Sequence, residues 1–169
     1  MYPMWIMGLL MLFGTYKSKY KDLLRVDKAS LVKWVHFLGT ISMYRIVMFY
    51  FLKDWHVLKH ATDGAMMIPW QATLTVFWED ACHGLPLVLL ALSTATYKHA
   101  KWLNRIAMAT VMISFGAGHL YQGWLAAVGL SMYIPFSMEI GKKNGFGTVM
   151  IGHMMYDFIT IITMKAVLG

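Results

Sequence analysis

The chain is a succession of predominantly apolar runs, at about 34–52, 65–96, 103–121, 124–140 and 146–168, most of them near the length a helix needs to cross a bilayer. A spanning helix takes roughly 20 residues at ~1.5 Å each. No water is available at that depth to satisfy the backbone, so lipid-exposed runs of this kind fold as helices. A shorter run, 1–14, lacks a basic leader and a clear A-x-A cleavage site. It reads as a short first membrane helix of only about 21 Å rather than a signal peptide. Apolar residues make up 59% of the 169 and charged residues 14%, against roughly 45–50% and about 25% in soluble domains. The expectation is an all-α fold: a polytopic transmembrane helical bundle of about six membrane helices, forming one integral membrane domain over 1–169. The 65–96 run is too long for one straight span, and Gly84, Leu85 and Pro86 predict a kink or break inside it.

Basic residues orient the bundle. Eleven Lys and Arg fall in the loops at 15–33, 97–105 and 141–145, and two fall in the intervening loop at 53–64. By the positive-inside rule the basic loops face the cytoplasm, which makes this an integral protein of a plasma or inner membrane. The net charge of +7 then reports topology rather than nucleic-acid binding. Trp34 and Trp102 are expected at the inner interface, and Trp55 and Trp124 at the outer one. Cys82 is the only cysteine, so no internal disulfide forms and Cys-rich zinc motifs are excluded. The sixteen methionines are scattered and read as packing residues.

Three of the runs carry ionisable residues in their middles: Glu79, Asp80 and His83 in WEDACHG, His119 in FGAGHLYQG, and His153 and Asp157 in GHMMYDF. Such groups are costly in a membrane and usually face a protein interior. Counted from the charged loops, they lie roughly 15–25 Å deep, so they can converge. Glu79 and His83 share a helix face, as do His153 and Asp157. A lone His also serves as glue between helices, and Asp157 alone can simply orient His153. The adjacent pair Glu79 and Asp80 has no such plain explanation. His36, His56, His60 and His99 lie near loops and read as surface residues. Arg45 sits inside its own run and either snorkels to the interface or pairs with an acid, Asp80 being the nearest in role. No cofactor is required by these residues. Their donor types do suit zinc, with Glu79, His83, His119 and His153 as candidate ligands.

The ordered set Glu79-Asp80, then Phe115-x-x-x-His119, then His153-x-x-x-Asp157 resembles the three motifs of the CAAX protease and bacteriocin-processing (CPBP) family. The stretch GHLYQGW around His119 strengthens the likeness, which covers about 65–169. The resemblance implies an intramembrane endopeptidase core that cleaves a membrane-associated or lipidated peptide or protein. Glu79 matches the glutamate that activates water, Asp80 its acidic neighbour, and His119 a partner in holding the water. His153 and Asp157 match the pair that stabilises the oxyanion or orients the site. The family's first motif continues to an Arg that would fall at Gly84, where this chain departs from it. A non-catalytic binding or immunity protein on the same fold is the alternative. A small proton-coupled carrier is a third reading, although paired related halves are not seen. Membrane lipid and the peptide substrate are the expected partners. Substrate identity and oligomeric state are not encoded in these motifs.

Overall fold

The computed structural model describes residues 2–52 and 69–168, which form helices joined by short turns, with no strand among them. Seven α-helices run α1 Tyr2–Lys17, α2 Lys28–Leu52, α3 Pro69–Ser93, α4 Ala100–Gly118, α5 Trp124–Ser131, α6 Tyr133–Asn144 and α7 Phe146–Leu168. Single 3-10 turns occupy Lys21–Leu24 and Leu120–Gln122. The 53–64 loop, with Trp55, His56 and His60, lies outside the described residues. So does the side chain of Arg45, whose backbone lies in α2.

Helix α3 is the centre of the bundle. It packs most extensively on α7 and also on α1, α6 and α4, while α2 closes the far side of α7. Its buried face follows the 3.6-residue repeat, through Thr73, Val76, Asp80, Gly84 and Leu87. The shared core gathers Trp34, Leu85, Val88, Phe115, Ile134, Phe146 and Val149. Trp34 is fully buried, stacks on Phe37 with ring centroids 5.3 Å apart, and donates its indole N–H to the Val149 carbonyl at 3.2 Å. It is therefore a core residue and not the interfacial anchor expected from its place near a basic loop. Trp102 and Trp124 are exposed.

Of the kink or break expected at Gly84 to Pro86, the break does not occur: α3 continues through Pro86 to Ser93. Pro86 removes one backbone donor, but Leu85, Leu87 and Val88 on either side are all buried, and their packing holds the helix together. Gly84 serves a different end. A Cβ there would run into the Phe146 ring, so this glycine makes the notch that lets α7 approach α3. Two other runs end differently from expectation. The 124–140 run is divided by a turn at Met132 into α5 and α6, of 8 and 12 residues. The 103–121 run closes as a helix at Gly118, which leaves His119 at the C-cap.

By length and composition, one described helix segment suffices to cross a membrane, Thr73–Ser93. Ile6–Lys17 and Phe146–Ile162 are shorter apolar helices.

The segment between α1 and α2 is clasped to the α6–α7 corner. Asp27 caps α2, its carboxylate accepting the Ser30 N–H at 3.1 Å. The Asp27 N–H donates to Thr148 Oγ1 at 2.8 Å, and Arg25 donates to the Lys143 carbonyl at 2.9 Å. Gly145 sits at φ +92 with the Arg25 carbonyl 2.5 Å from where a Cβ would stand, so both conformation and space require glycine there.

Candidate functional site

The buried face of α3 places one acidic side chain in the protein interior. Asp80 is 2% exposed, and a carboxylate so buried needs partners for both oxygens. It has them. The Tyr133 hydroxyl, at the first residue of α6, donates to Oδ1 at 2.5 Å. His153 Nδ1, from α7, lies 3.1 Å from Oδ2. A carboxylate only accepts, so Nδ1 carries the proton and Nε2 is the nitrogen left for chemistry. The Tyr133 and His153 rings lie 4.7 Å apart, and Tyr133 is itself buried. Three helices thus fix one carboxylate–imidazole–phenol group.

Glu79, one residue earlier on α3, points about 100° away from Asp80 around the helix and is half-buried. It remains within the electrostatic reach of His153, Asp80, His83 and Asp157. Asp157, one turn after His153 on α7, acts on His153 and Tyr133 as well. Asp80 and His153 are therefore in contact, and Glu79 and Asp157 lie on the same two helices within electrostatic reach of them.

His119 and His83 are held differently. His119 Nδ1 bonds the Phe115 carbonyl at 2.7 Å, and His83 Nδ1 bonds the Glu79 carbonyl at 2.9 Å. Each ring is thereby tied along its own helix, and in the neutral form each keeps Nε2 as its acceptor. Both flank the buried Phe115 ring, His119 at 4.5 Å and His83 at 5.6 Å between centroids. Phe115 in turn stacks on Tyr133 at 5.8 Å. His119 thus touches the same Phe115 ring that stacks on Tyr133. Among the described residues no three His, Cys, Asp or Glu side chains are grouped as a metal site requires. Of the four zinc candidates, Glu79 and His83 lie one turn apart on α3, His119 caps the end of α4 and His153 lies on α7.

Tyr133 is the site residue that the motifs do not announce. Its signal in the sequence is a phenol inside the apolar run at 124–140, where a buried Tyr hydroxyl calls for a partner. The space beside Gly84 is filled by Phe146. No protein-family model matches the chain, and no curated protein or solved structure matches it significantly.

Proposed function

We propose that this chain is an integral membrane endopeptidase of the CPBP type, cutting a membrane-associated or lipidated peptide with water activated by Glu79. The observation that carries the reading is a buried polar cluster held inside helices whose outer faces carry many large apolar side chains. Asp80, His153 and Tyr133 are locked together inside, while large apolar side chains cover the outside. Ile113 is 71% exposed and Phe13 63%, and Leu10, also on α1, Val128 on α5 and Ile159 on α7 are exposed as well. Water disfavours continuous apolar surface of this kind and lipid accepts it. In this reading the basic loops lie in the cytoplasm.

The chemistry assigns each group a task. Glu79 takes a proton from water as the water oxygen attacks the scissile carbonyl carbon. Negative charge gathers on the carbonyl oxygen, where His153, protonated at Nε2, donates to it. Asp80 holds His153 in register, as a carboxylate orients a catalytic imidazole. The tetrahedral carbon then expels the amine, which takes the proton from Glu79. Asp157 adds negative potential that favours the imidazolium. In this reading His119, packed against the Phe115 ring, meets the substrate or the entering water.

A second reading has its own support. With Phe146 where the motif Arg would stand and His119 tied to its own helix, a non-catalytic binding or immunity protein on the same scaffold fits too. One experiment separates them. Reconstituted protein should cleave a quenched membrane-anchored peptide library, and Glu79→Gln, which keeps shape and loses the base, should lower the rate by at least about 10²-fold with an unchanged unfolding midpoint. Cleavage unaffected by Glu79→Gln would sink the mechanism. Absence of cleavage by the wild-type chain would favour the binding reading.

A further inference from the structure

A cavity of about 430 Å3 opens between α1, α3 and α7 beside the 15–33 basic segment, with no residue of the carboxylate cluster in its lining. Leu12, Phe13, Tyr16, Phe77, Met150 and Ile151 wall it, so the lining is almost wholly carbon. Its size falls within the roughly 300–1,000 Å3 of small-ligand sites. The rim is charged. Lys17 holds its ammonium 5.7 Å over the Phe13 ring and 5.9 Å over the Tyr16 ring, the two aromatic walls nearest the end of α1. Leu24 and Val26 close the same rim. They belong to a segment with Lys17, Lys19, Lys21, Arg25 and Lys28 against only Asp22 and Asp27. Arg25 and Asp27 are already committed to the clasp on the α6–α7 corner, whereas the exposed Lys17 lies over two of the rings that wall the cavity.

An apolar slot beneath a cation has the chemistry of a phospholipid read end to end: chain in the slot, phosphate at the ammonium. Basic clusters directly cytoplasmic of a membrane helix recognise anionic lipid at roughly 1 kcal/mol per Lys or Arg. We propose that this cavity binds one acyl chain of an anionic glycerophospholipid from the leaflet on the basic-loop side, with Lys17 as its phosphate contact. The site rests on the membrane reading above and is independent of hydrolysis.

The test is native mass spectrometry of the full chain in detergent, titrated with phosphatidylglycerol or with phosphatidylcholine. The expected result is one phosphatidylglycerol adduct retained in preference to phosphatidylcholine. Lys17→Gln, on an exposed side chain, should weaken that adduct about fivefold. Ile151→Trp, which fills the slot, should remove it. Should Ile151→Trp fail to fold, Lys17→Gln decides alone. Equal retention of the two lipids, or an adduct that Lys17→Gln leaves unchanged, overturns the site. Glu79→Gln protein should retain the lipid as the wild type does, so loss of the hydrolytic reading leaves this result standing. Protein that fails to float with vesicles of either lipid overturns the membrane reading and the site together.

Discussion

At the scale of single residues, Asp80 has the most at stake. Its two oxygens are each claimed by a partner on another helix, and a buried charge that loses a partner is costly. Tyr133→Phe should therefore destabilise the fold by about 1.5–3 kcal/mol in denaturant unfolding. If Asp80 orients His153, the same substitution should lower kcat and leave KM nearly unchanged, because Tyr133 meets Asp80 and not substrate. An unchanged unfolding midpoint would deny the hydrogen bond its structural role. The sequence contains enough to bury Asp80 rather than Glu79: Val76, Asp80, Gly84 and Leu87 form one stripe, and Glu79 falls off it. Tyr133 is illegible for a physical reason. It pairs with Asp80 across 53 positions, and no local period records a contact made by tertiary folding. The cap position of His119 was hidden in the same way, since the apolar run continues past the point where the helix stops.

At the scale of elements, glycine decides how closely helices meet. Gly84→Ala should cost about 1–3 kcal/mol by overpacking Phe146, which is fully buried and has nowhere to move. Gly84→Arg should be worse, giving protein that fails to fold or unfolds at a much lower denaturant concentration. Wild-type stability of Gly84→Ala would contradict the close α3–α7 approach. The clasp at the start of α2 carries a pH signature. Its Ser30 hydrogen bond holds the Asp27 carboxyl below the ordinary aspartate value. A folded pKa below the unfolded one gives stability that is fully present above the unfolded pKa and is lost as pH falls through the folded pKa. Asp27→Ala should therefore lower the thermal midpoint at neutral pH, and its difference from wild type should vanish in strong acid. A difference that persists there would point to the backbone contacts of the clasp instead. Helix type and approximate extent were legible from the apolar runs. The unbroken passage through Pro86 was not, because proline's local penalty was outweighed by buried neighbours that the sequence does not place.

At the scale of the whole molecule, the described residues form helices joined by short turns, with Asp80 buried in an otherwise largely apolar core and large apolar side chains such as Ile113 exposed. The central claim is that this cluster lies within the membrane, and the chain carries its own probe for it. Cys82, the single cysteine, follows Asp80 by two positions on α3 and is not fully covered by protein. In water a thiol so placed would react with a maleimide; at membrane depth, lipid would shield it from a reagent that cannot cross. Sealed vesicles treated with a membrane-impermeant maleimide should leave Cys82 unmodified, and the same protein unfolded in sodium dodecyl sulfate should be labelled to completion. Ready labelling in the sealed vesicles would place α3 in water and contradict the account.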